Sequence, residues 1–194
     1  EFGSHWANQL KNFSWGEDSS QLTNLDELVD AKSISRTFTL FKNTKDQKII
    51  EQTLCNLCGE VGYKLRKMKM AARQVTLMVR GDQQEKYLRQ TGQFFTDSSS
   101  KIFALVWEKF KSLNWQGNIR FLGVWAGLLN RNENLTLPLF IENKQEEKLS
   151  LAVDKLNDKF GGFTVYPAIL MGGELIRPEV NGYLGDKKYQ FSID

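Results

Sequence analysis

Apolar and polar residues alternate with a period of two in the first strand-like stretch of the chain, residues 32–41. Apolar side chains take even positions, at Ile34, Phe38 and Leu40. Small hydroxyl side chains take the odd positions, which are Ser33, Ser35, Thr37 and Thr39. This period predicts a β-strand with one face toward a core and the other face lined by hydroxyls.

The next hundred residues switch between the helical period and the strand period. The predicted elements are, in order, a helix over residues 46–70, strands over 73–81 and 85–95, a helix over 96–115 and a strand over 117–129. The last of these strands is apolar on both faces, which is typical of a central strand. The order over residues 32–130 is therefore β-α-β-β-α-β.

Two helices and four strands in this order normally give an α+β fold, with one four-stranded sheet and both helices on one of its faces. The opposite face is then free of helices. The hydroxyl row of the first strand must lie on that free face, and Gln74, Thr76 and Arg80 of the second strand lie beside it by the same alternation.

The flanks of this unit have a different character. Residues 6–15 look like the last turns of a helix, and the polar, acidic residues 16–31 read as a linker. Residues 143–161 predict a third amphipathic helix with an apolar stripe at Leu149, Val153, Leu156 and Phe160. Residues 162–173 predict a short strand broken by Pro167.

Charge is concentrated in the β-α-β-β-α-β unit. The chain has 194 residues and a formal net charge of +3, yet residues 32–130 carry 17 Lys and Arg against 7 acids, a net charge of +10. A basic block between acidic flanks is typical of a protein that binds a polyanion. The alternative is a solvated surface on a mildly basic protein. No apolar run is long enough to span a membrane, and no signal-peptide pattern is present.

Catalytic and metal-binding patterns are missing from the sequence. The two cysteines, Cys55 and Cys58, fall within the first predicted helix, and the single histidine is His5. These residues cannot supply the four ligands of a structural zinc site, so we expect free, partly buried thiols and a reducing compartment. Hydroxyls and arginines on a sheet face suit phosphate contacts, although a solvated sheet face is the alternative.

Three motifs appear in an order that resembles a known family. "DAKSISRTFTLF", "LRKMKMAARQVTLMVRG" and "IRFLGVW" follow the sequence of the little finger in Y-family (DinB/UmuC-type) translesion DNA polymerases. "LAVDKLNDKFGGFTVYPA" resembles the tail of bacterial members, so the resemblance covers about residues 6–170. Residues 1–4 read as a cloning scar.

The resemblance implies a division of the chain and a set of DNA contacts. Residues 5–31 would be the end of the thumb and the tether, 32–130 the little finger, 131–143 a linker and 144–194 a C-terminal extension. The little finger would grip primer-template backbones without reading sequence. The implied DNA-binding residues are Lys32, Ser33, Ile34, Ser35, Arg36, Arg73, Thr76, Arg80, Arg89 and Arg120. Strict alternation places Arg36 on the core face, so its side chain must snorkel from an edge or be turned by a bulge.

The resemblance also implies partners and an activity for a parent protein. Polymerase activity and its Mg²⁺ ions would belong to a palm absent from these residues, so this chain has no cofactor of its own and should be inactive alone. The catalytic core of the same polymerase would be one partner, and a cytoplasmic, nucleoid-associated location during the response to DNA damage is expected.

The "LPLF" run after the little finger resembles a peptide by which bacterial members bind the sliding clamp. Leu137, Leu139 and Phe140 would be its anchors in an apolar pocket, although Thr136 stands where the peptide has Gln. The alternative is local packing of an apolar loop.

Two other functional classes stay open at this point. An RNA-recognition module has the same element order, but residues 85–95 lack its Gly/aromatic-rich motif, and the hydroxyl row offers no surface on which bases could stack. The second class is a non-catalytic polymerase paralogue that acts as an adaptor. The residues that would distinguish it from a polymerase would lie in the palm, outside this sequence.

Overall fold

The computed structural model describes residues 3–18, 31–82, 84–134 and 144–173. Within them, the helices are α1 (Ser4–Ser14), α2 (Gln47–Lys67), α3 (Ser99–Ser112) and α4 (Lys144–Phe160). The strands are β1 (Ser33–Thr44), β2 (Met70–Gly81), β3 (Glu85–Thr96) and β4 (Ile119–Arg131). The predicted β-α-β-β-α-β order is confirmed.

The strands form one four-stranded sheet in the order β1-β4-β2-β3, and every neighbouring pair is antiparallel. The fourth strand is therefore central, as its two apolar faces predicted, and β1 is an edge strand. β1 and β2 lie on either side of β4, a position that the crossover through α2 allows.

The core lies between the sheet and helices α2 and α3. Leu54, Leu57, Val61 and Leu65 of α2 are completely buried, and they recur at helical spacing along the face that meets the sheet. Ile102 and Val106 of α3 fill the rest of this layer. Both helices lie on one face, which confirms the predicted α+β arrangement and leaves the other face open.

Side-chain caps define where the two core helices begin. Asp46 precedes α2 and accepts a hydrogen bond from the backbone amide of Lys48 at 2.8 Å, and Ser98 caps α3 by accepting from the amide of Lys101. Lys64, Arg66 and Lys67 lie in the last turn of α2, where cations favour the helix dipole.

The C-terminal extension packs on the helix layer through polar contacts. Arg66 of α2 donates two hydrogen bonds to Asp154 of α4, Nε to Oδ2 at 2.6 Å and Nη2 to Oδ1 at 2.9 Å. Tyr63 donates to Asp158, and Ser98 and Ser100 donate to Glu146. Because these polar side chains face the domain, α4 is oriented by ion pairing and hydrogen bonding.

The predicted amphipathic helix is present as α4, and the side that carries its apolar stripe is largely exposed. Leu149, Leu156 and Phe160 are 64%, 41% and 61% exposed, and only Val153 of the predicted stripe is half-buried. The helical period placed these residues on one side correctly. It could not show which side of α4 would meet α2 and α3.

The predicted strand over residues 162–173 is wrong. This segment consists of turns and a single 3-10 turn, Ala168–Leu170, that follows Pro167. The backbone carbonyl of Ile169 accepts a hydrogen bond from Gln52 Nε2 at 2.8 Å, and Leu170 is 5% exposed. The segment therefore attaches to α2, away from the sheet edges, where no strand partner is available to it.

Candidate nucleic-acid interface

The open face of the sheet, defined as the side opposite α2 and α3, is built from four cross-strand rows. In the order β1, β4, β2, β3 the rows are Ser33, Gly127, Gln74, Thr91; Ser35, Trp125, Thr76, Arg89; Thr37, Gly123, Met78, Tyr87; and Thr39, Phe121, Arg80, Glu85. Residues directly opposite in a sheet lie about 5 Å apart. The open face therefore brings together side chains that are up to 94 residues apart in sequence, from Ser33 to Gly127.

The hydroxyl row of β1 lies on the open face as predicted. Ser33, Ser35 and Thr39 are exposed and Thr37 is half-buried. Thr76 of β2 shares a row with Ser35, so hydroxyls occur on both sides of the central strand. Hydroxyls on the two strands that flank β4 can donate hydrogen bonds to phosphate oxygens without distinguishing bases.

Two arginines bring positive charge to the same surface. Arg80 and Arg89 are both exposed, and Arg80 lies over the ring of Phe121 with its guanidinium carbon 4.5 Å from the ring centroid. Glu85 faces Arg80 across the β2–β3 pair and accepts a hydrogen bond that raises the pKa of Tyr87. Arg89 and Arg80 are the predicted basic residues that the fold places on the open face.

Ile34 and Arg36 do not fit the phosphate contacts predicted for them. Their side chains are 5% and 7% exposed and point toward the helix layer. β1 pairs with β4 in uninterrupted register from Ser33 to Thr39, so no bulge turns Arg36 outward. Burial raises the pKa of Glu60 on α2, and the nearby positive charge of Arg36 opposes that rise. Arg36 therefore interacts with a carboxylate inside the domain.

The other predicted cations lie at the borders of the sheet. Lys32 is exposed just before β1, and Arg73 is exposed with Nε donating to the carbonyl of Gly92 at 3.0 Å. Arg120 donates from Nη1 to the carbonyl of Phe41 at 2.8 Å, where the β1–β4 register shifts. The structure therefore does not bring Arg73 or Arg120 into the rows that hold Arg80 and Arg89.

Aromatic rings on the open face were missed by the sequence reasoning. The open side of β4 alternates aromatic residues and glycines, at Phe121, Gly123, Trp125 and Gly127. A Cβ added to Gly123 would lie 2.5 Å from Cζ3 of Trp125, so the six-membered ring of Trp125 extends over this glycine. The period-two spacing of these four residues was the signal that could have revealed them.

Besides the hydroxyl row, which offers no stacking surface, the open face therefore carries aromatic rings. Tyr87 on β3 is 61% exposed, and its ring centroid lies 6.5 Å from that of Trp125. Met78, between Gly123 and Tyr87 in register, is only 5% exposed, which we attribute to cover by these rings. β4 was apolar on both faces because one side builds the core and the other carries this aromatic surface.

Both cysteines lie in α2 as free thiols. Cys55 is half-buried and Cys58 fully buried, both free as predicted, and burial raises the pKa of the Cys55 thiol to about 11 and that of Cys58 well above 9.0. The described ranges contain no group of three or more His, Cys, Asp or Glu side chains that could hold a metal ion, and no helix in them is long and apolar enough to cross a membrane.

The predicted clamp-binding anchors lie outside the described residues. Leu137, Leu139 and Phe140 fall in the interval between the 3-10 turn Asn132–Asn134 and the start of α4. Their role stays a prediction from the sequence.

Residues 31–139, which contain the sheet, match a known protein family. The model of the impB/mucB/samB family C-terminal domain matches residues 31–139, more than half of the chain. A DNA polymerase IV of Acetivibrio thermocellus is 28% identical over 172 residues, which cover 86% of this chain and 43% of the polymerase. A DNA polymerase IV of Bacillus cereus is 23% identical over 197 residues, which cover 94% of this chain and 44% of the polymerase.

The chain spans less than half the length of the curated relatives it matches. Among solved structures, a Y-family DNA polymerase chimera matches 67% of this chain and 37% of its own, with 20% identity and a TM-score of 0.46. The family match begins at Ala31 and contains all four strands and both core helices. The resemblance seen in the three sequence motifs is therefore confirmed, and the chain belongs to the impB/mucB/samB family as its C-terminal domain, the little finger of Y-family polymerases.

Proposed function

We propose that this domain grips primer-template DNA by its backbone, without reading sequence, as part of a Y-family DNA polymerase. The observation that carries the proposal is the row of Ser35, Thr76 and Arg89 across the open face, together with the row of Thr39 and Arg80, which lies two rows further along the strands. Hydroxyls and guanidinium groups spread over these rows can follow a sugar-phosphate chain, and neither group needs a particular base.

Polymerization itself is assigned to the part of the parent protein that precedes this domain. The relatives named DNA polymerase IV are more than twice as long as the matched region. In the parent protein of this chain, Mg²⁺ would be held by carboxylates of the palm. α1 supports contact with such a core, because Trp6, Leu10 and Phe13 recur at helical spacing and are 59%, 45% and 45% exposed. A cytoplasmic location with the nucleoid follows from this role.

Binding of labelled duplexes of two unrelated sequences tests the backbone grip. With the 194-residue chain, both duplexes should bind at about 50 mM salt with equal affinity, and affinity should fall with a log-log salt slope of several units. A flat salt response, or a preference for one sequence, would contradict the proposal. Tighter binding of RNA than of DNA would favour an RNA-recognition module. A non-catalytic adaptor is excluded only by polymerase activity of the parent protein.

We further propose that residues 137–140 dock the sliding clamp. The support is the spacing of Leu137, Leu139 and Phe140 at the end of the family match, which covers residues 31–139. Replacing Leu139 and Phe140 by Ala should abolish binding to a purified bacterial clamp while duplex affinity is unchanged. Clamp binding that survives the double substitution would place the contact elsewhere.

A further inference from the structure

The open face carries a feature that gripping a backbone does not use. Trp125 on the central strand and Tyr87 on the edge strand β3 form an aromatic pair whose ring centroids are 6.5 Å apart at an interplanar angle of 53°. Gly123 and Gly127 flank Trp125 on the open side of β4, so no side chain rises on either side of the ring along that strand. The Trp125 ring lies over Gly123, so the pair forms an aromatic area between the polar side chains of the open face.

Aromatic rings are poor ligands for phosphate and good partners for nucleobases. A base stacks on an exposed ring whatever its identity, and such stacking dominates the binding of single strands. Bases within a duplex are already stacked on one another, so only unpaired bases can use this contact. The ring of Phe121 is already covered by Arg80 at 4.5 Å, which leaves the half-buried Trp125 and the exposed Tyr87 as the stacking positions.

Groups that can hold a strand lie beside the pair. Ser35, Thr76 and Arg89 share the cross-strand row of Trp125, with Ser35 on one side and Thr76 and Arg89 on the other. Arg80 lies two residues along β2 from Met78, which is opposite Tyr87. A base on Trp125 would thus have hydroxyl donors one strand spacing away, about 5 Å, and the guanidinium of Arg89 would lie two strand spacings away, within reach of the next phosphate.

We propose that Trp125 and Tyr87 form a stacking site for unpaired bases of single-stranded DNA on the open face. This site rests on the proposed function, since it adds the unpaired template strand to the nucleic acids that the same face holds. The other explanation for the pair is that the rings only shield Met78, which is 5% exposed, from water. The two explanations differ in what removal of a ring does to binding.

The test compares an oligo-dT strand of about 12 nucleotides with an abasic strand of equal length and phosphate count, a size within the site range of single-strand binding folds. Anisotropy of labelled strands with the 194-residue chain should give affinity for oligo-dT about tenfold above that for the abasic strand. Equal affinity for the two strands would overturn the stacking site, because phosphates alone would then account for binding. Tighter binding of oligo-U than of oligo-dT would overturn the assignment to DNA.

Variants separate stacking from shielding. Trp125→Leu keeps apolar cover over Met78 and removes the ring, so it should lower oligo-dT affinity about tenfold and change duplex affinity less than twofold. Trp125→Phe should restore most of the loss, and Phe160→Leu, a matched change on exposed α4, should change neither affinity. Oligo-dT affinity equal to wild type in folded Trp125→Leu would overturn the proposal.

A second position keeps the test decisive if Trp125→Leu does not fold. Tyr87 is on an edge strand and 61% exposed, so Tyr87→Leu should fold and lower oligo-dT affinity severalfold. Unchanged affinity in Tyr87→Leu would overturn its part in the site. If the duplex binds in a salt-dependent way but oligo-dT binds no better than the abasic strand, the stacking site is overturned and the backbone grip is retained. If the duplex does not bind, the backbone grip is overturned.

Discussion

Ser35 and Arg36 are neighbours in β1 and lie on opposite faces of the sheet. Ser35 is exposed opposite Trp125, whereas Arg36 is 7% exposed opposite Val124, on the side of α2. The resemblance implied the same role for both residues, contact with phosphate. In the structure the hydroxyl of Ser35 faces solvent, whereas Arg36 is buried between the sheet and the helices.

This division predicts different effects of substitution at the two positions. Arg36→Ala should lower the free energy of unfolding by about 3 kcal/mol, because it removes a buried guanidinium whose charge offsets the partial burial of Glu60 and leaves Lys64 as the other nearby cation. Ser35→Ala should change stability by less than about 0.5 kcal/mol. Urea unfolding of both variants measures this, and equal stability of Arg36→Ala and wild type would contradict the placement of Arg36.

Removal of the two open-face arginines should weaken duplex binding in a way that salt reveals. Replacing Arg80 and Arg89 by Gln should lower affinity at low salt and reduce the log-log salt slope by about 2, one for each lost phosphate contact. Lys155→Gln with Lys159→Gln on α4 removes the same charge from the helix side and should leave the slope nearly unchanged. Equal losses in the two double variants would mean that net charge, and not the open face, determines binding.

The C-terminal extension should detach when its ion pair is removed. Asp154→Asn weakens both hydrogen bonds from Arg66 and leaves the bonds of Arg66 to Asp97 and Ser99 in place. Because α4 is attached mainly by polar contacts, we expect faster amide exchange within residues 144–160 and unchanged exchange in α2. Duplex affinity should not change, since α4 lies on the side opposite the open face. Unchanged exchange in α4 would contradict this attachment.

The thiols should be unreactive in the folded protein. Burial raises the pKa of Cys55 to about 11, and Cys58 is fully buried, so at pH 8 both thiols are protonated and a thiol reagent should label them only after denaturation. An unfolded chain ionises its thiols at the ordinary pKa of 9.0, so the free energy of unfolding should fall as pH rises from about 9 to 11. Rapid labelling at pH 8 would contradict the burial.

The local spacing of apolar residues was enough to predict the sheet, its two core helices and the open face. The alternation in β1 placed Ser33 and Ser35 outside and Ile34 inside, because a strand has only two sides. The same rule applied to β4 would have placed Trp125 on the open face. That inference was missed because apolar residues on both sides of a strand were taken only as a sign of a central position.

Long-range features were not predictable from period. The register shift of β4 near Arg120 and the hydrogen bond of this residue to Phe41 depend on how two distant strands pair. The orientation of α4 depends on Arg66 meeting Asp154, 88 residues later, and an amphipathic pattern favours the opposite orientation. Such contacts depend on tertiary packing between distant segments, and the pattern within one short segment gives no information about it.

The footprint of a duplex on the domain tests the central claim most directly. Amide resonances of the 194-residue chain, followed by NMR during titration with a short duplex, should shift along the exposed hydroxyl row of β1 and around Thr76, Arg80 and Arg89. Amides of α4 and of the outer surfaces of α2 and α3 should stay unchanged. Shifts confined to the helix layer, with the open face unaffected, would contradict the account.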